Sequence, residues 1–227
     1  IQRLGNTGRI LVELPGVKEP ERVRKLLQGT ASLEFWTTYE NSEIYPFLVE
    51  ANQSLVEMEE TEEPSNPATQ SVLESEIKAQ NESAELENYK KANPLFAVLQ
   101  PSNSQRGACI GYANAADTSK VNAMLKSTKD LFPAEFRPMW SVKPASGMGA
   151  DNIFELVAIK ASSRDGKAPL DGSAVTDAHV SYDSQRGGNP TVSMSMNAEG
   201  ANTWARLTKD NIGKQIAIVL DGTVYSY

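Results

Sequence analysis

Arg9-Ile-Leu-Val-Glu-Leu14 near one end of the chain and Thr191-Val-Ser-Met-Ser-Met196 near the other decide the fold. In the first stretch Ile10, Val12 and Leu14 fall on one face of a strand by the two-residue period. Pro15-Gly16 ends that strand, and Pro20 opens a helix at a first-turn position, where its missing N–H costs nothing. Val23, Leu26 and Leu27 form the helix's apolar stripe, Gly29 caps it, and Ala31-Ser-Leu-Glu-Phe35 reads as a second strand. The other end repeats the plan. Val192, Met194 and Met196 alternate with serines, and Asn197 is a good N-cap for a helix carrying Ala201, Trp204, Ala205, Thr208 and Ile212 on one side. Gly213 ends that helix. Gln215-Ile-Ala-Ile-Val-Leu220 is apolar on both faces, as a central strand is, and Asp221-Gly222 makes a turn.

Two strand–helix–strand units with right-handed crossovers predict an α+β protein with a ferredoxin-like (βαββαβ) base. The residues between the units must leave that base and return to it. The expected organisation is therefore a discontinuous base, 1–38 plus 170–227, and a large inserted α+β head, 39–169. Within the head, Phe47, Leu48, Ala51, Leu55 and Met58 keep helical spacing over 44–60, and 69–91 reads as a weakly amphipathic helix. Residues 59–67 read as a charged, mobile loop. Strands are expected at 95–99, 109–112, 136–142 and 154–160, a helix over 118–132, and a flexible turn at 145–150.

The 227 residues carry a net charge of −7, which argues against a nucleic-acid partner because phosphate binding needs a basic patch. The acid is concentrated: Glu40 to Lys91 holds thirteen Glu and three Lys, a balance of −10, which leaves the remainder at +3. Apolar runs such as 216–220 are too short to cross a bilayer. No signal peptide is evident, and the chain reads as an excised soluble piece of something longer.

Chemistry is sparse. His179 is the one histidine and Cys109 the one cysteine, so a zinc site of the usual ligands cannot form. His179 is expected at a surface or packing position, and Cys109, within Ala108-Cys-Ile-Gly-Tyr112, is expected as a small buried hydrophobe. Gly147-Met-Gly149 lacks the spacing of a phosphate loop, and Ser75-Glu-Ile-Lys78 has no supporting motif around it. Asp171, Asp177 and Asp183 suit turns and caps. The sequence predicts no enzymatic activity, no cofactor and no metal.

Arg9-Ile-Leu-Val-Glu-Leu-Pro-Gly-Val-Lys-Glu-Pro20 with Gly29-Thr-Ala-Ser-Leu-Glu-Phe35 closely resembles the opening of the first periplasmic domain of the SecD family. Leu170-Asp-Gly172 and Asp177-Ala178 look like that family's return from the insertion. Asn197-Ala-Glu-Gly200, Leu207-Thr208, Asn211-Ile-Gly-Lys214 and Ala217-Ile-Val-Leu-Asp-Gly222 look like the signature that closes it. The resemblance implies the periplasmic side of the inner membrane and a SecD or fused SecDF subunit, working with SecF and SecYEG through the full-length protein. It implies capture of emerging unfolded preprotein and its export with proton-motive force. Membrane contact would then come only from transmembrane segments absent from this chain. The insertion is longer than the family pattern. On this reading the preprotein contacts are Phe96, Tyr112, Phe132, Phe136, Met139 and Trp140, and the hinges are Thr37, Thr38 and Tyr39 with Pro169, Leu170, Asp171 and Gly172. The alternative is a periplasmic porter domain of an RND-type efflux transporter, binding small amphiphiles in a preformed pocket.

Overall fold

The computed structural model describes residues 2–4, 9–12, 32–62, 87–145, 151–163, 165–182 and 190–227. In chain order the strands are β1 Gln2–Leu4, β2 Arg9–Val12, β3 Leu33–Thr38, β4 Gln100–Pro101, β5 Cys109–Asn114, β6 Phe136–Pro144, β7 Ile153–Lys160, β8 Leu170–Asp171, β9 Val175–Tyr182, β10 Pro190–Met196, β11 Ile216–Leu220 and β12 Thr223–Ser226. The helices that concern the site are α1 Asn41–Glu62, α2 Thr118–Ser127 and α3 Ala198–Asp210. The expected helices over 20–28 and most of 69–91, the loop from 63 to 67, the Ser75 and Gly147 motifs and Asp183 lie outside the described residues.

The protein is mixed α+β, and its two ends fold together, strand against strand. β2 runs antiparallel to β10, with Ser193 opposite Leu11. β3 runs antiparallel to β11, from Leu33 opposite Leu220 to Thr37 opposite Ile216. The two pairs sit in different sheets, one ordered β1-β2-β10-β9 and the other β4-β5-β7-β6-β12-β11-β3-β8. The expected single ferredoxin-like sheet of four strands is therefore not what the described residues form. The reason is burial on both faces. A four-stranded base covered by helices shields one face only, whereas β3 and β11 are apolar on both and need a second partner layer.

That second layer comes from closure of the larger sheet. β7 pairs not only with β6 and β5 but also with β3, through Thr37↔Lys160 and Thr38↔Ile159. With β6 joined to β12 at Ser141↔Val224, the strands β3, β11, β12, β6 and β7 make a closed ring. Its filling is Trp36, Val157, Ile159, Ala217, Val219 and Val224, each at most 1% exposed. The Trp36 indole N–H donates to Glu34 Oε2 at 2.9 Å, and the Arg137 guanidinium lies 5.4 Å from the centre of its ring system.

Alternation then sends the other residues of the same strands outward into two further cores. From β3 and β11, Leu33, Phe35, Ile216, Ile218 and Leu220 meet Trp204 of α3 and Val192, Met194 and Met196 of β10. Phe35 and Trp204 meet edge to face, with centroids 5.3 Å apart. From β7, Leu156 and Ala158 meet Ile44, Leu48, Ala51 and Leu55 of α1 and Val121 and Leu125 of α2. The expected division at 38/39 and 169/170 thus passes through the ring, which takes β3, β11 and β12 from one side and β6 and β7 from the other.

Family-like motifs near the C-terminus explain how α3 is seated. Asn197 caps α3 by accepting from Gly200 N at 2.8 Å, while its own N–H donates to Ala174 O at 2.9 Å. A Cβ on Gly200 would come within 2.5 Å of the Ala174 Cβ, so the absence of a side chain permits this approach. Asp221-Gly222 forms a two-residue hairpin with φ of +49° and +76°, the mirror-image turn that Asp-Gly favours. Asp221 also accepts from Ser32 N at 2.9 Å, which ties the hairpin to the start of β3.

Several local expectations change. Residues 95–99 are not a strand: Leu99 N donates to Leu95 O, and Asn52 Oδ1 accepts from Leu95 N at 3.1 Å, so a helical turn places Leu95 and Leu99 inward together. α2 stops at Ser127 and a short 3-10 turn, Lys129–Leu131, follows it. Ile212 is 82% exposed, because α3 has ended and Gly213 turns the chain with φ +78°; Leu207 packs on that core instead. Met58, in the last turns of α1, is also exposed.

Replacing Trp36 with Ala should cost about 3–5 kcal/mol in urea denaturation, as should Trp204→Ala. Ile212→Ala should change stability by less than about 0.5 kcal/mol. Equal effects at 36 and 212 would refute the ring as a packed core.

Candidate functional site

The residues with most to offer a partner lie where the ring is thinnest. β6 is paired along one side with β7, from Phe136↔Lys160 to Trp140↔Leu156. On its other side, among the described residues, the one ladder pair is Ser141↔Val224. A groove of about 440 Å³ opens beside the unpaired stretch. Its floor is Phe136, Pro138, Met139 and Trp140 of β6. One wall is Asn122, Leu125 and Lys126 of α2 with Lys129 and Phe132; the other is Gly222 and Thr223 of the hairpin.

The direction of the backbone here follows from one bond. Ala161 N donates to Glu135 O at 2.8 Å, in register with the β6–β7 ladder. In an antiparallel pair the residues facing the partner alternate, so Arg137 and Met139 face β7 while Phe136, Pro138 and Trp140 turn their main-chain groups to the groove. Proline has no N–H, and Phe136 N already donates to Pro133 O at 2.8 Å. The open edge therefore offers the carbonyls of Phe136 and Pro138 but lacks their donors. Proline at such an edge is tolerated for this reason.

The aromatic side chains are braced from behind. Phe132 and Phe136 stack at 4.7 Å between centroids, Phe47 of α1 lies 6.2 Å from Phe132, and Tyr39 lies 6.5 Å from Phe136. Trp140 donates its indole N–H to Asn122 Oδ1 at 2.9 Å, which fixes the ring across the groove. Four of the six sequence-predicted contact residues line this groove: Phe136 and Trp140 are half-buried, Phe132 is buried in the α1–α2 core, and Met139 also packs against the ring core. Phe96 and Tyr112 do not: Phe96 packs on the α1–α2 core, and Tyr112 lies on β5 beside Cys109. Sequence reasoning missed Asn122, Lys126 and Lys129. Their i, i+4, i+7 spacing beside the Val121–Leu125 stripe was the available signal.

The expected hinge residues are well bonded. Thr37 and Thr38 are buried in β3; Thr37 Oγ1 donates to Lys160 O at 3.1 Å and Thr38 Oγ1 to Gln215 O at 2.9 Å. Tyr39 N donates to Ala158 O at 2.9 Å, and the Lys160 Nζ lies 5.1 Å from the Tyr39 ring centre. Burial, with the Glu135 and Glu43 carboxylates nearby, raises the Tyr39 pKa. Pro169 is half-buried. Leu170 is buried opposite Phe35, Asp171 accepts from Ser173 N at 2.9 Å, and Gly172 fits closely against Leu33.

His179 is exposed on β9 with Nδ1 3.1 Å from Asp177 Oδ2. Among the described residues no group of three or more His, Cys, Asp or Glu is arranged to hold a metal ion. Cys109 is buried, and desolvation pushes its thiol up to about 11. No helix of the described residues is long and apolar enough to cross a membrane.

Comparison with known proteins identifies the class. Residues 1–40 match the family model described as protein translocase subunit SecDF, P1 domain, N-terminal, and residues 158–227 match the one described as SecDF, P1 head subdomain. Over its whole length the chain is 36% identical to the protein translocase subunit SecD of Rhodothermus marinus, covering 35% of that protein. It is 24% identical over its whole length to SecD of Borreliella burgdorferi, covering 27% of that protein. A quarter of the chain is 44% identical to SecDF of Thermus thermophilus over 57 residues. No solved structure matches. The chain belongs to the SecD/SecDF family and corresponds to its P1 domain; it spans about a third of the length of the Rhodothermus relative.

The Cys109 environment sets a pH dependence. The unfolded thiol ionises near its ordinary value of 9.0, whereas the folded one holds its proton to about 11. The stability from burying the neutral thiol is thus full below pH 9 and is lost as the pH rises through 11. The melting-temperature difference between Cys109→Ala and the parent should shift in favour of the variant between pH 8 and pH 10.5, and an unchanged difference would contradict the buried thiol.

Proposed function

We propose that this domain captures unfolded preprotein as it leaves the SecYEG channel, acting as part of an accessory subunit that works with SecF. The full-length protein sits in the inner membrane, this domain stands on the periplasmic side, and proton-motive force drives release and rebinding. The observation that carries this reading is the convergence of Phe132, Phe136, Met139 and Trp140 on one groove in a chain of this family. Aromatic and Met side chains on an open surface grip unrelated sequences without demanding one shape. The relatives it matches are named as translocase subunits, which favours export over the efflux-porter alternative.

How such a domain moves is constrained by the ring. A swing of 39–169 about Thr37–Tyr39 and Pro169–Gly172 must part Thr37↔Lys160 and Thr38↔Ile159 and break the Thr37 hydroxyl bond to Lys160 O, while the Thr38 hydroxyl stays bonded to Gln215 O on its own side. At about 0.5–1.5 kcal/mol for each hydrogen bond, the loss is on the order of several kcal/mol. The five ring strands therefore travel together during export, and a hinge at those residues is reached only by opening these pairs.

A photo-crosslinking residue at Met139 of the full-length protein should label a stalled, half-exported preprotein, whereas one at Tyr112 should not. Labelling at neither position would refute capture in the groove. In hydrogen exchange on the same protein, the Thr37 and Thr38 amides should exchange as slowly as Phe35. Faster exchange at 37–38 than along the rest of β3 would locate a working hinge there.

A further inference from the structure

We infer that the groove selects its guest by charge: it prefers extended segments in which a bulky apolar side chain is followed or preceded within a few residues by Asp or Glu. This rests on the capture reading and specifies its substrate class. The net −7 comes from residues 40–91, which alone carry −10, so a guest with acidic residues meets an unfavourable field beside that stretch. The groove reverses that sign locally. Its charged lining residues are Lys126 and Lys129, both exposed, and no carboxylate lines it. Among the described residues neither lysine is paired with an acid. Both lysines line one wall of the groove, Lys126 on α2 and Lys129 on the 3-10 turn after it.

The floor fixes the manner of binding. Phe136, Met139 and Trp140 accept a large apolar side chain, and the carbonyls of Phe136 and Pro138 can each take one N–H from an extended backbone. With no donor at Pro138 and the Phe136 N–H already used, a full two-sided ladder cannot form. The guest is consequently held by side chains at one apolar point and one or two charged points, not zipped into register. A lone cationic residue in the guest would sit beside Lys126 and Lys129 and be repelled.

The test uses the full-length protein in lipid nanodiscs with a photo-crosslinker at Thr223, opposite the lysines. Three labelled unstructured peptides share one central Phe-Leu pair and differ only in flanks of Asp, Ser or Lys. At low salt the Asp-flanked peptide should bind about three- to tenfold more tightly than the Lys-flanked one. The gap should close at 0.5 M NaCl and in the Lys126→Gln/Lys129→Gln variant, which leaves the apolar floor untouched. Equal affinity of all three peptides, each crosslinking at Thr223, would overturn the charge selection and leave capture standing. No crosslinking by any peptide would overturn the groove as a binding site altogether.

Discussion

The antiparallel pair of β3 and β11 holds the rest of this molecule in place. Leu33 to Thr38 comes from the first fifth of the chain and Ile216 to Leu220 from the last few residues, and neither can be buried without the other. Because both strands are apolar on both faces, one side must be covered by α3 and β10 and the other by a second sheet layer. The closure of β7 onto β3 meets that demand. Trp36 then fills the enclosed space, and the strands that complete the ring become the platform on which α1 and α2 pack. The loop-closure entropy of bringing such distant segments together is modest compared with the apolar area they bury.

Much of this was legible in the residues. The mirrored plan implied contact between the two ends, and β2 pairs with β10 as β3 does with β11. The two-sided apolar run 216–220, the Asn197 cap, the Gly213 stop and the Asp221-Gly222 turn are all found where the pattern placed them. The ring was not legible. Periodicity reports which faces of a strand are buried but not what buries them, and Trp36, directly after Phe35, was the one residue announcing a second core behind β3. Helical spacing at Leu95 and Leu99 was likewise present but masked by the short apolar run around it.

For the site, residue type was a better guide than position. Aromatic and Met residues between 132 and 140 were recognisable as binding candidates, and the fold gathers them because a turn after α2 brings Phe132 back over β6. Phe96 and Tyr112 have the same chemistry, yet Phe96 packs on the α1–α2 core and Tyr112 lies beside Cys109 on β5, a distinction that depends on register across strands distant in sequence. The lysines shared a face beside the Val121–Leu125 stripe, but that spacing does not say which surface lies across from them. The edge beside these residues offers two carbonyls and no free donor at Phe136 and Pro138, so little main-chain pairing can form along it.

Exposed strand edges are where sheet proteins polymerise. Pro138 sits midway along the one open stretch of β6 and removes a donor from the row a neighbouring molecule would need. That one missing donor denies a second copy a continuous template along this edge and so works against fibre growth.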